Sequence, residues 1–463
     1  MTAVAVGGDG VAREASGRVV LVAGALPGER VRAEVVAERR DHARAVTIDV
    51  LDASADRVAP PCPFVAAGCG GCGWQHVDVA AQRRLKVAMV VDALEHLGGV
   101  DRPSVREGGG APPHGYRTTV RAVADDDGRL ALRRHHSHDL VAVPGCRVAH
   151  PLVAEVLADG RFPPGAEVTV RAGARTGERM VVVDGAPTDP GRAPLRPDLA
   201  PSEDVAPEAS TEASEAPGSP EAPEAPGSAG SPAVAAHDAG PTTPGAGGPV
   251  DVDRVRVPEG VRVVTGDQLA AGKRAWLHEE VAGVRLRVSA RSFFQSGPEA
   301  AESLVEAVAD AAGELAPQAR VADLYGGVGL FAATVGRGAR VELVEASPSA
   351  AADARVNLAG SAARVVRSDV GRWRARHVDV VVADPPRTGL GRRGVRAVRA
   401  ARAPRLVLVS CDAGALARDA RLLAGAGYDL VDATVVDAFP QTPHVEVVSR
   451  FDRRTDGPHG RRG

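Results

Sequence analysis

VADLYGGVGLF, residues 321–331, is the stretch that decides the fold. Residues 321–324 are an apolar run that reads as a short buried strand. Gly326, Gly327 and Gly329 then make the turn into a helix, where a backbone without Cβ can pass close to a nucleoside ligand. Twenty residues after Tyr325 a second apolar run ends at Glu345, an acid placed to accept from both hydroxyls of a ribose. The turn lacks the GxGxxG spacing of nicotinamide sites, so S-adenosylmethionine is the favoured cofactor. Further apolar runs at 365–366, 378–383 and 406–409 alternate with helical segments, which predicts an α/β domain with a doubly wound parallel sheet. Runs at 430–436 and 445–448 have no helix-length gap between them and read as a closing antiparallel hairpin.

Ligands bind at the carboxyl edge of such a sheet. There the fourth strand ends in DPPR, whose prolines stiffen the loop that presents Asp384. Enzymes that methylate amino groups often carry a similar motif ending in an aromatic residue, but here the fourth position is Arg387. The fifth strand ends in SCD, which sets Cys411 on the same edge, facing a cleft. A thiolate adds readily to C6 of a pyrimidine, C5 can then take a methyl group, and a base must remove the C5 proton before the cysteine leaves. Glu446, in TPHVEVV on the closing hairpin, is an acid among apolar neighbours and a candidate for that base.

The other cysteines stand as Cys62, Cys69 and Cys72, with Cys146 far downstream. That spacing suits a tetrathiolate zinc or a [4Fe-4S] cluster. The group His135 to His138 (HHSH) reads as a solvated hairpin. No window approaches about 18 consecutive apolar residues and no secretory leader opens the chain, which predicts a cytoplasmic protein without a membrane span. Residues 184–250 hold eleven carboxylates against Arg192 and Arg196. They carry −9 of a total of −3, leaving +6 for the remainder, a balance compatible with a polyanionic partner.

Composition divides the chain. Residues 1–55 alternate like a small antiparallel OB-like barrel. Residues 56–184 and 251–290 form an α+β central domain, interrupted by a Pro/Ala/Glu-rich segment, 185–250, that cannot bury a core and is expected to be disordered. Residues 291–452 are the Rossmann-like catalytic domain, and 453–463 a disordered tail.

Taken in order, the four clustered cysteines, DLYGGVG, DPPR, SCD and HVE resemble the RNA 5-methyluridine (uracil-C5) methyltransferase family across everything but the insertion and tail. The resemblance implies an N-terminal TRAM domain that binds RNA, Cys411 as nucleophile and Glu446 as proton-abstracting base. It also implies S-adenosylmethionine contacts from Gln295, Tyr325, Glu345 and Asp384, and a [4Fe-4S] cluster on Cys62, Cys69, Cys72 and Cys146. The implied partner is ribosomal or transfer RNA, with the enzyme a monomer needing no protein partner. The first cysteine gap is one residue longer than in the best-known members, and SCD stands where some have SCN. The rivals are an amino or cytosine-C5 RNA methyltransferase and a noncatalytic zinc-containing RNA-binding protein.

Overall fold

The computed structural model describes residues 1–135, 137–185 and 250–454. His136, most of the acidic insertion and the end of the tail lie outside them. Strands β1 (Ala3–Val4), β2 (Gly10–Arg13), β3 (Val19–Ala23), β4 (Arg30–Glu38) and β5 (His42–Asp52) form a five-stranded sheet in the order β1-β2-β3-β5-β4. The β3–β5 pair is parallel, not antiparallel as the alternating pattern suggests. Strand β5 lies between β3 and β4 and pairs with both, which leaves β4 at the edge of a strand-rich domain compatible with the expected barrel.

After α1 (Pro63–Ala66) comes the long helix α2 (Val79–His96), started by Asp78, which accepts from the amides of Ala80 and Ala81. Strand β6 (Val105–Gly110) follows. Next are β7 (Thr119–Ala124), β8 (Leu130–Arg133), β9 (Leu140–Ala142), α3 (Pro151–Asp159), β10 (Glu167–Ala172) and β11 (Arg179–Asp184). Beyond the insertion β12 (Val261–Thr265) pairs with β11 and completes a six-stranded sheet, so the chain leaves and re-enters this domain between neighbouring strands. Helix α4 (Gly266–Ala270) leads to the hairpin β13 (Trp276–Val281) and β14 (Val284–Ser289).

The catalytic sheet is built from β15 (Arg320–Leu324), β16 (Arg340–Glu345), β17 (Arg364–Arg367), β18 (Val380–Ala383), β19 (Arg405–Ser410), β20 (Tyr428–Asp437) and β21 (Glu446–Arg453). Its helices are α5 (Pro298–Ala312), α6 (Leu330–Ala333), α7 (Pro348–Asn357), α8 (Gly391–Ala401) and α9 (Ala413–Gly425). The order is β17-β16-β15-β18-β19-β21-β20-β6. The first five strands are parallel, β21 runs antiparallel between β19 and β20, and β6 adds an eighth strand parallel to β20.

Alternate residues of each strand face opposite layers, which is why the runs are apolar throughout. Val381, Ala383, Leu406 and Leu408 pack with α2, α8 and α9, whereas Val380, Val382, Val407 and Val409 pack with α5, α7 and the β13–β14 hairpin. Among the described residues no helix is long and apolar enough to cross a membrane.

Candidate functional site

The strand register, more than any single residue, assembles the site. Leu324 opposes Val344 on one side and Ala383 on the other. One step further along the same register lie Tyr325, Glu345 and Asp384, a single row across the carboxyl edge. Tyr325 has φ 59°, a left-handed conformation unusual for a non-glycine residue, so the chain turns back sharply at the strand end. Gly326 completes the turn; a Cβ there would stand 2.5 Å from Leu343. The carboxylate of Glu345 accepts from the amides of Gly327 (3.0 Å) and Ser347 (2.6 Å), which fixes it beside the glycine turn with lone pairs left for a ligand.

Asp323 lies fully buried behind this row. Burial, with the Asp384 and Glu345 carboxylates nearby, pushes it up to about 7. Its Oδ2 accepts from Ala332 N, while Oδ1 has no hydrogen-bond partner. Three carboxyl groups converging on one edge favour a cationic ligand. The sulfonium and ammonium of S-adenosylmethionine meet that requirement, so the residues present fit this cofactor. Gln295, itself buried, donates to Asp384 Oδ2 at 3.5 Å and closes the row from the segment before α5.

The second half of the site comes from β19 and β21. Their last opposed pair is Ser410 with Val447, so the next pair in register is Cys411 and Glu446. Opposed residues of an antiparallel pair stand about 5 Å apart at Cα and point to the same side of the sheet. Cys411 is half-buried and immediately precedes Asp412, which caps α9 by accepting from Ala415 N. Glu446 is only 6% exposed.

Between β20 and Glu446 runs the loop 438–445, and polar side chains from distant segments hold it. Gln82 of α2 donates to Gln441 Oε1 and accepts from Gln441 N; Lys86, fully buried, donates to Asp437 at 2.6 Å and to the Phe439 carbonyl at 3.0 Å. Tyr116 donates to the Pro440 carbonyl and Ser296 to that of Ala438. Gln441 has φ 69°, a second left-handed non-glycine residue at the site. Arg387 of DPPR donates to His444 Nδ1 at 3.0 Å, which leaves that ring its proton on Nε2 and ties the two loops together. Sequence reading did not find Gln82, Lys86, Tyr116 or the Arg387–His444 contact. Gln82 and Lys86 sit in a helix where polar residues ordinarily mark the wet face.

Cys62, Cys69, Cys72 and Cys146 line one small cavity together with Gln75 and Arg117. Burial pushes the Cys72 thiol up to about 11 and raises Cys69 as well. The cysteines share the cavity without closing into a coordination shell: among the described residues no three His, Cys, Asp or Glu side chains are grouped tightly enough to hold a metal ion. The donor set nevertheless suits a soft-metal group. Four cysteines line the cavity, and the buried Arg117 guanidinium, held charged against its burial by Tyr116, Cys72 and Cys146, would offset thiolate charge. Phe439 of loop 438–445 packs in the same cluster as Cys72 and Cys146. Arg134 pairs with Cys69 and His135 donates its amide to the Gly68 carbonyl, so these two residues abut the cysteine loop.

No family model matches the sequence. Full-length relatives do. An uncharacterized RNA methyltransferase of Streptomyces avermitilis is 34% identical over 98% of this chain and 97% of its own, and one of Gloeobacter violaceus is 31% identical over 98% and 95%. Among solved structures, the tRNA (uracil-54, C5)-methyltransferase of Pyrococcus abyssi, in complex with S-adenosyl-L-homocysteine, superposes with a TM-score of 0.62 at 20% identity, over 96% of this chain and all of that one. At that identity the likeness shows a shared fold. On its full-length identity to these relatives, the chain belongs to the RNA methyltransferase family.

Proposed function

We propose that the protein is an S-adenosylmethionine-dependent RNA (uracil-C5) methyltransferase that makes 5-methyluridine in ribosomal or transfer RNA. The observation that carries this reading is the β19–β21 register, which ends with Ser410 opposite Val447 and so brings Cys411 and Glu446 next, beside Tyr325 and the carboxylates of Glu345 and Asp384. A nucleophile and a base facing each other, next to a cation-binding edge, are what addition, methyl transfer and elimination at a pyrimidine require. S-adenosylmethionine supplies an electrophilic methyl group.

Cys411, beside the amino end of α9 where amide dipoles favour an anion, adds as thiolate to C6 of the uracil. The C5–C6 electron pair moves into the ring as an enolate, and C5 then takes the methyl group. Glu446 removes the proton left on C5. Those electrons re-form the C5–C6 double bond and expel the Cys411 thiolate. Glu345 and Asp384 hold the cofactor by charge and hydrogen bonds, and Gln295 orients Asp384. A uridine within folded RNA has to be flipped out to reach Cys411. Residues 1–55 serve as the TRAM domain for RNA, and Cys62, Cys69, Cys72 and Cys146 would hold a [4Fe-4S] cluster that cross-links the central domain.

Replacing the two residues separates their roles. Cys411→Ala should form no covalent RNA complex. Glu446→Gln should add to C6 and accept methyl, then accumulate a methylated adduct that survives denaturing electrophoresis, because general bases contribute roughly 10²- to 10⁴-fold. A Glu446→Gln enzyme that turns over like the parent, or an adduct with Cys411→Ala, overturns the assignment.

A further inference from the structure

Residues 364–402 contain eleven arginines and three carboxylates, Asp369, Asp379 and Asp384, in a chain whose total charge is −3. This one segment therefore accounts for all of the net positive charge outside the acidic insertion, and the fold gathers much of it on one surface. Arg392, Arg396 and Arg399 are exposed along one stripe of α8 at helical spacing, while Val395, Val398 and Ala401 face the core. The turn Val370–Arg372 and the residues after it lie alongside: a Cβ placed on Gly371 would stand 3.3 Å from Arg393 Cβ. That turn adds exposed Arg372, Arg374 and Arg376 to the exposed Arg393. The stripe starts at the candidate site, since α8 follows the DPPR loop and a Cβ on Gly394 would stand 3.1 Å from the Tyr325 hydroxyl.

Helix physics disfavours this arrangement in isolation. Like charges four residues apart repel, and Arg392 and Arg393 oppose the macrodipole at the amino end of α8. Among the described residues none of these seven arginines pairs with a carboxylate. A surface of guanidinium groups at phosphate-reading density, beginning at the rim of a nucleotide-modifying cleft, is complementary to a polyphosphate backbone.

We propose that the face formed by α8 and residues 372–376 is a docking surface for the sugar-phosphate backbone of the RNA substrate, outside the flipped nucleotide. The inference rests on the reading of the protein as an RNA-modifying enzyme and adds where the RNA lies on the catalytic domain. Contacts of this kind carry affinity and salt dependence but not chemistry.

The test uses the full chain and unmodified total RNA from cells lacking the gene. Filter binding across a salt series is run for the parent, for Arg392→Gln/Arg396→Gln, and for Arg372→Gln/Arg374→Gln as an independent pair on the neighbouring segment. Arg102→Gln/Arg106→Gln, exposed just before and on β6 at the other edge of the sheet from β17, is the control. Each neutralised phosphate contact removes about 0.7 to 0.9 from the slope of log K against log salt, so each test pair should lose about 1.5. The control should keep the parent slope. With methyl-labelled cofactor, the loss should appear as a several-fold higher KM for RNA at the parent kcat. Unchanged slopes in both test pairs, or an equal loss in the control, overturn the surface. Binding needs no methylation, so the two readings fail separately: a reduced slope with no 5-methyluridine formed sinks the uracil reading alone, and 5-methyluridine with an unchanged slope sinks the surface alone.

Discussion

Lys86→Met tests whether the polar contacts from α2 hold the loop that leads to Glu446. The Lys86 ammonium and the Asp437 carboxylate are 0% and 2% exposed and meet at 2.6 Å, so each has given up water for the other. Burial pulls the Lys86 pKa below its ordinary value and Asp437 pulls it back, the signature of a charge retained only by its partner. Removing one member of such a pair costs about 3–5 kcal/mol, because the other charge is left uncompensated. Arg83 Nε, 3.7 Å from the second Asp437 oxygen, compensates part of it, which places Lys86→Met near about 3 kcal/mol. Asp437→Asn should cost a similar amount, but the double variant should cost less than either single one and not about 6 kcal/mol, since neither charge is then stranded. Urea unfolding followed by tryptophan fluorescence reads all four corners of the cycle, Trp74 lying against this loop through its amide bond to the Gln441 carbonyl. In the covalent-adduct assay Lys86→Met should also slow proton removal more than addition, because the loosened loop leads directly to Glu446, the proposed base. Additive single costs, or a Lys86→Met cost under about 1 kcal/mol, would refute the clamp.

Two further expectations concern the central domain and its border. His76 is pushed down to about 4 by burial and by the neighbouring Arg57. Below about pH 6.5 the unfolded chain takes up a proton that the folded one refuses, so stability falls as pH drops from about 6.5 to about 4, by about 3 kcal/mol in all. His76→Gln should flatten that limb of the unfolding profile, and an unaltered profile would show that other groups set it. Anaerobically purified protein should be brown, with about four irons and four acid-labile sulfides per chain, and Cys146→Ser should lose both. One zinc per chain in a colourless, active preparation would replace the cluster with a tetrathiolate site.

Much of this was legible in the sequence for a physical reason. Strands buried on both faces must be apolar throughout, and the runs at 321–324, 341–344, 378–383 and 406–409 all fall within or overlap β15, β16, β18 and β19. The candidate site residues sit where those runs stop, so Tyr325, Glu345, Asp384 and Cys411 could be found from strand ends. Strand β6 could not: VREGGG has no apolar run, and its pairing to β20 depends on a chain more than 300 residues away. The same distance hid Gln82 and Lys86, whose partners are separated from them by 359 and 351 residues. The parallel β3–β5 pair was missed because alternation reports which face is buried and says nothing of strand direction.

Loop 438–445 is where the N-terminal sheet, the cysteine loop and α2 meet next to Glu446. The β19–β21 register alone opposes Cys411 to Glu446, but Glu446 is the first residue of its strand, where a ladder frays unless the chain before it is held. A left-handed Gln441 costs about 1–3 kcal/mol, and such a conformation persists only where its surroundings over-determine it. Here they do: Gln82 satisfies both its backbone amide and its side chain, and Trp74 of the cysteine loop donates its amide to the Gln441 carbonyl. Trp74 in turn donates through its indole to the Gly8 carbonyl of the N-terminal domain, and a Cβ on Gly8 would stand 2.5 Å from Pro443. The N-terminal sheet, the cysteine loop and α2 therefore meet on the segment that leads to Glu446, the proposed base, while Cys411, the proposed nucleophile, directly follows β19 inside the sheet. On the proposed roles, disturbing the cysteine cavity should thus reach proton removal before addition, since its loop holds the segment that leads to Glu446.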